Sequence, residues 1–322
     1  MNRIVFSYAE DCIFGFGDFL RGSMCVRGVC KNQNIDFDID FSKNKIGQYV
    51  ESRYTGEDYN NTDIIKTKSL NEQKIKELLL NKPYLFLCSN ASKKRFPETY
   101  DLSNGPKTYF NSLDDETKNF YQDNLKFSES IVSEARKRLK QKNIGKFKIL
   151  QIRVGDEFSF SNGDGFKHKD KTPPPIKKHG LYFTDRKPKL RTNSTPYALP
   201  LLVYFQFLVD FMKKNNDEDF IFISDSSELK EMLNSYIEKQ KIDNFHVLSL
   251  LSTHTSEAML DDLIDQPKKD GLFDTMLEMY LVSLSQGVKC FTCYRFPSNF
   301  TKSICVIFGI NHEVDIIKNH IS

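Results

Sequence analysis

From Phe147 onward, short apolar runs and amphipathic stretches take turns along the chain. Phe147 to Ile152, Phe220 to Ser224, Asn244 to Leu250 and Val288 to Cys293 read as strands. Helical patterns lie at Tyr197 to Lys214, after Asp225-Ser226-Ser227-Glu228, at Leu272 to Ser285, and at Asn299 to Phe308, which Gly309 closes. Pro200 falls in the first turn of its helix, where proline is tolerated. Strand-helix repetition of this kind dictates a parallel sheet with right-handed crossovers. The loops that follow the strands then share one edge of the sheet, and that edge is where open α/β sheets bind ligands. Arg153, Asp225 and the turn Pro297-Ser298-Asn299-Phe300 all fall on it.

Arg153 ends the apolar run Ile149-Leu150-Gln151-Ile152 and is followed by Val154-Gly155-Asp156. A planar, permanently charged donor fork at that position suits a diphosphate. The alternative is a strand-end arginine paired to Asp156 or to a surface carboxylate.

The first half begins in the same style. Ile4 to Tyr8 reads as a strand that turns through Glu10-Asp11-Cys12-Ile13-Phe14-Gly15-Phe16-Gly17-Asp18 into a helix, with Asp18 as its cap and an extent of about 18 to 29. Gly15 and Gly17 allow backbone amides to approach an anion at a helix amino terminus. The spacing is not the dinucleotide fingerprint, because Leu20 stands where its third glycine would be and Phe16 is bulky. Taken alone, it reads as a plain strand-helix turn. Asp36, Asp38 and Asp40 alternate with Ile35, Phe37, Ile39 and Phe41, the pattern of one solvated strand face, so no metal site is expected there. An amphipathic helix is expected at about 70 to 80, a strand at Tyr84 to Cys88, and one long helical region at about 114 to 142. Asn143-Ile144-Gly145 closes that region and marks the domain boundary.

A chain of 322 residues accommodates two domains. The division expected is 1–145, then 146–310, then 311–322, a terminal helix that packs back on the first. With 46 Lys+Arg against 43 Asp+Glu, no bulk field singles out nucleic acid or a membrane as partner. Seven cysteines with scattered spacing do not form a disulfide framework, and Cys290-Phe291-Thr292-Cys293 lies in an apolar strand with no second pair. There is no long apolar region of signal or transmembrane type, which places the chain in the cytoplasm as an expectation. The segment from Ser161 to Arg191 is rich in Lys and Arg around Pro173-Pro174-Pro175. It reads either as a solvated loop or as a lid that attracts an anionic substrate.

Gly15-Phe16-Gly17-Asp18, Gln151 to Asp156, Ile223-Ser224-Asp225-Ser226, and Phe273-Asp274 through Ser298-Asn299-Phe300-Thr301 follow one another across nearly the whole chain. In that order they resemble the fucosyltransferase superfamily of protein O-fucosyltransferases and of nodulation and core α1,6-fucosyltransferases. The resemblance implies a GT-B architecture, α/β with two Rossmann-like domains whose parallel sheets face a central cleft. It implies GDP-fucose as donor, held mainly by the second domain, a hydroxyl acceptor on a glycan, glycolipid or protein, and neither a metal nor another cofactor. It assigns the diphosphate to Arg153, the guanine to Asp274, and the phosphate and base pocket to Ser298, Asn299 and Phe300. The turn from Gly15 to Asp18 would close on the donor. Gln151 departs from the family, many of whose members carry histidine there; glutamine still hydrogen-bonds a nucleotide but does not titrate near neutral pH. The cysteine bridges of secretory members are also missing from the sequence, as in a cytosolic relative.

The chemistry fits those residue types. Displacing GDP from a sugar builds negative charge on the leaving phosphate, which a fixed arginine and helix-terminus amides stabilise in a dry site. An inverting attack also needs the acceptor hydroxyl deprotonated, and Glu10 and Asp11, beside the glycine turn, are the candidate bases. Two rivals stand beside this reading: the same fold serving another nucleotide sugar, and a catalytically degenerate GT-B binding module.

Overall fold

The computed structural model describes residues 2–9, 15–52, 54, 56, 59–66, 71–88, 113–154, 176–178, 181–183, 201–251, 271–292 and 299–317. In chain order the first elements are β1 (Arg3–Ser7), α1 (Phe16–Asn32), β2 (Asp36–Asp40), β3 (Val50–Glu51), β4 (Ile64–Lys66), α2 (Glu72–Asn81) and β5 (Tyr84–Cys88). After them come α3 (Asp115–Asn124), β6 (Lys126–Phe127), α4 (Glu129–Gln141), β7 (Lys148–Arg153), β8 (Ile176–Lys178) and β9 (Leu181–Phe183). The remainder comprises α5 (Leu201–Lys214), β10 (Phe220–Ser224), α6 (Ser227–Gln240), β11 (Phe245–His246), α7 (Gly271–Leu284), β12 (Val288–Thr292), α8 (Asn299–Phe308) and β13 (His312–Ile316).

Two parallel sheets organise the fold, as the strand-helix alternation requires. One has the order β2-β1-β5-β4 and the other β11-β10-β7-β12-β13. Counted by appearance within the second sheet, its strands run third, second, first, fourth, fifth, which is the doubly wound order. The chain forms two compact units. One gathers residues 1–136, 253–283 and 299–310, the other 137–252, 284–298 and 311–322. The first crossing falls between 136 and 137, and the later ones place most of α7 and all of α8 with the first unit.

Several local expectations change once the partners are in place. The tail beyond Ile310 does not begin as a helix: His312 to Ile316 form β13, parallel to β12, with Val288 opposite His312 and Thr292 opposite Ile316. The alternation of Val314 and Ile316 about Asp315 suits a strand, and the edge of β12 supplies its hydrogen bonds. The single helix expected over 114 to 142 is two, broken where β6 pairs antiparallel with β3 and the Ser128 N–H donates to the Tyr49 carbonyl. Tertiary pairing outweighs helix propensity there. Helix α1 begins at Phe16 with Gly15 as its cap, so Asp18 lies inside the first turn instead of capping it.

Asp40 is the clearest departure. Asp36 and Asp38 keep partial exposure, and Asp38 pairs with Arg3 at 2.9 Å, but Asp40 is 1% exposed. Its carboxylate accepts the Tyr59 hydroxyl and, at 2.9 Å, the Ser42 N–H, while Tyr59 also bonds Ser7 on the neighbouring strand. Burial, and then Asp40 itself, push the Tyr59 phenol above the ordinary tyrosine range. A buried carboxylate is tolerated because donors surround it. No group of metal-ligand type forms among the described residues.

Candidate active site at the carboxyl edge of the second sheet

Leu150, Ile152 and Val154 enter a core with Phe207, Leu208, Leu229, Leu233 and Phe291. Alternation along a strand therefore sends Gln151 and Arg153 to the opposite face. In register, Gln151 lies between Ile223 and Cys290, and Arg153 is opposite Thr292. Arg153 ends the first strand of the sheet and Thr292 the fourth. Strand order reverses between those two, and that crevice is where doubly wound sheets bind their ligands. The arginine is half-buried, while Gln151 and Thr292 are buried.

A carboxylate fixes the exit from β7. Asp225 Oδ1 accepts the Val154 N–H at 2.8 Å. The residue that caps α6 is Ser226 and not Asp225: its hydroxyl accepts the Leu229 N–H at 3.2 Å and its own N–H donates to Ser224 Oγ. Capping by Ser226 leaves the aspartate to hold the neighbouring loop. Lys230, one turn further into α6, is fully buried, and its Nζ donates to the Leu251 carbonyl at 2.8 Å and to Ser249 Oγ at 3.3 Å. That anchors the chain after β11 near the same edge. Nothing in the sequence marks Lys230, which reads as one more lysine of a solvated helix face.

The remaining site residues belong to the first unit. Gly15, as the cap, contributes only backbone; its carbonyl accepts the N–H groups of Asp18 and Phe19, both at 3.0 Å. Phe16 turns its ring into the core, 5.7 Å from Tyr8, 5.6 Å from Phe41 and stacked on Phe19 at 6.0 Å. Asp18 pairs with the buried Arg21 at 3.0 Å. The Gly17 carbonyl accepts Ser303 Oγ at 3.2 Å, which seats α8 against the first turn of α1. Asp274 is buried in the first turn of α7, four residues before the buried Glu278, and Phe273 beside it meets Tyr49 edge-on at 5.6 Å. Asn299 and Phe300 open α8. Glu10, Asp11 and Ser298, the basic segment 161–191 apart from its short strands, and Cys293 lie outside the described residues. The structure thus gathers Gln151, Arg153 and Asp225 at one sheet edge, and joins the Gly15 to Asp18 turn to the helix that Asn299 and Phe300 begin.

The class defined by this fold is an α/β protein of two parallel sheets with a cation at the switch point of the doubly wound one. Among solved structures the chain is similar to a mutant of FUT1 from Arabidopsis thaliana in complex with GDP, at a TM-score of 0.48 and 10% identity over 97% of this chain and 70% of that one. It is also similar to the fucosyltransferase NodZ from Bradyrhizobium, at 0.46 and 10% over 99% and 96% of the two chains. POFUT1 in complex with GDP gives 0.43 and 10% over 98% of each. No protein-family model matches the sequence, and no curated protein matches it. No helix among the described residues is long and apolar enough to cross a membrane.

Proposed function

We propose that this protein is a glycosyltransferase that takes its sugar from GDP-fucose and passes it to a hydroxyl of a glycan, glycolipid or protein, by an inverting mechanism without a metal. The observation that carries the reading is Arg153 at the carboxyl end of β7, opposite Thr292 at the switch point of the sheet. Its guanidinium takes up charge on the departing diphosphate, the part a divalent ion plays in other transferases. Asp225 positions the loop that leaves β7. Asp274 is assigned to the guanine in keeping with the motif resemblance, and Glu10 or Asp11, beside the glycine turn in sequence, to the acceptor proton. Five described cysteines are buried free thiols, which supports a cytoplasmic setting.

Thermal shift with GDP, UDP and ADP, each with and without EDTA, tests the donor. Stabilisation by GDP that survives EDTA is expected, whereas a preference for UDP or ADP moves the assignment to another nucleotide sugar. The binding-module reading draws on Gln151, a buried amide where many relatives of this motif carry a titrating group. Hydrolysis of GDP-fucose by the native chain separates the two, since a binding module leaves the donor intact.

A further inference from the structure

The exit of β1 is held by a side chain from the exit of its neighbour β2, as the exit of β7 is held by Asp225 after β10. Asn44 follows β2 and is 6% exposed, and its Nδ2 donates to the Ala9 carbonyl at 3.2 Å. Tyr8 and Ala9, the two residues that leave β1, are fully buried, and the Tyr8 N–H donates to the Asp40 carbonyl at 3.0 Å. One residue back, the Ser7 hydroxyl meets the Tyr59 hydroxyl, which donates to the Asp40 carboxylate. The ring of Tyr59 stacks on Phe86 of β5 at 3.8 Å. Three adjacent strands are thereby clasped where β1 ends, on the carboxyl edge at which α/β sheets meet their ligands.

The side chain of Asn44 is itself fixed. Its backbone N–H donates to the Phe41 carbonyl at 3.1 Å, and its Oδ1 accepts the Ile46 N–H at 3.0 Å, capping the short 3-10 turn Lys45–Gln48. An oxygen must face that N–H, so the amide nitrogen faces Ala9. Gly47 closes the turn on the end of β2: a Cβ there would stand 2.6 Å from the Phe41 carbonyl oxygen, an approach that only glycine permits. Ala9 is the last residue before Glu10 and Asp11, the candidate bases, and Gly15 fixes the chain again as the cap of α1. A base works only within hydrogen-bond reach of its proton, and a misplacement of about 1 Å costs up to about 10²-fold in rate. The geometry points to Asn44 as a positioning residue, which fixes the backbone from which the base-bearing segment starts. The inference rests on the proposed transferase reading, and it assigns Asn44 no contact with donor or acceptor.

Asn44→Asp separates the tie from the cap, because aspartate caps a helix as well as asparagine does but has no N–H to give to Ala9. Two readouts are taken on the full chain. One is hydrogen exchange in the peptides that carry Tyr8-Ala9 and Lys45–Gln48, and the other is hydrolysis of GDP-fucose with GDP affinity measured beside it. The expected result is faster exchange at Tyr8-Ala9 with the 3-10 turn unchanged, a kcat roughly ten- to a hundredfold lower, and the GDP affinity of the native chain. Native kcat or native exchange at Tyr8-Ala9 in Asn44→Asp overturns the inference and leaves the transferase reading intact, since Asn44 then serves the turn alone. A loss of GDP affinity as large as the loss in kcat also overturns it, because the residue then acts on donor binding. A native chain that leaves GDP-fucose intact overturns the transferase reading, and this inference falls with it. If the buried carboxylate of Asn44→Asp prevents folding, Asn44→Ser replaces it: serine still caps the turn, carries no charge and is too short to reach Ala9.

Discussion

The Asp225 carboxylate accepts the Val154 N–H at 2.8 Å, tying the residue after Arg153 to the residue after β10. An ionised acceptor on a backbone amide makes a stronger bond than a neutral one, and this one spans two loops that leave adjacent strands. Asp225→Ala leaves that amide without its acceptor and frees the exit of β7. The expected cost is about 1–3 kcal/mol of stability, together with weaker GDP binding. Asp225→Asn retains an oxygen acceptor and is expected to fall between the two. Equal melting temperatures and equal GDP affinities in native protein and Asp225→Ala would remove the positioning role.

Arg153→Ala removes the guanidinium at the switch point without emptying a core. By analogy with the loss of one oxyanion donor, turnover of GDP-fucose is expected to fall about 10²–10³-fold, or roughly 2.7–4 kcal/mol of transition-state stabilisation. Folding should change little. Arg153→Lys restores charge but not the fork, so a partial rescue is the expected result. The measurement is donor hydrolysis at saturating GDP-fucose, and unchanged rates in Arg153→Ala would refute the assignment.

Phe16 lies in the glycine turn but packs among Tyr8, Phe19 and Phe41. Its substitution is therefore expected to act on stability first. Phe16→Ala removes a buried ring, at a cost of about 3–5 kcal/mol. Phe16→Leu is milder and should keep its GDP affinity while lowering the denaturation midpoint. A large loss of affinity in Phe16→Leu with an unchanged midpoint would instead make the ring a ligand contact.

His246 gives the second unit a pH dependence. Burial lowers its pKa from the ordinary 6.5, although Asp219, 3.5 Å from Nε2, pulls the other way. The unfolded chain then takes up a proton at a higher pH than the folded one. Stability from this residue is intact above about 6.5 and declines as the pH falls from there towards the lowered folded value. Melting temperatures followed from pH 7 downward should drop less steeply in His246→Asn than in the native chain. Parallel slopes would show that another group governs the acid response.

Much of the architecture is legible before any coordinates. The parallel sheets follow from strand-helix alternation, and α8 and its stop follow from an apolar pattern ended by Gly309, whose φ of +68° glycine tolerates without strain. Arg153 is legible at a sheet edge because the apolar run ends there. These features are written in short-range periodicity, which backbone geometry converts directly into helix and strand.

What the chain folds against is not written that way. Thr292 stands opposite Arg153 only because β12 joins β7, and Asp40 is buried only because Tyr59, nineteen residues on, covers it. Lys230 and Lys302 look like surface lysines in sequence, yet both are buried. Val314 and Ile316 become a strand because β12 offers an edge. Sequence determined the kinds of element and the edge that could bind a ligand. Tertiary structure decided which charges lost water and which partners they met, since desolvation and strand register depend on residues far apart in the chain.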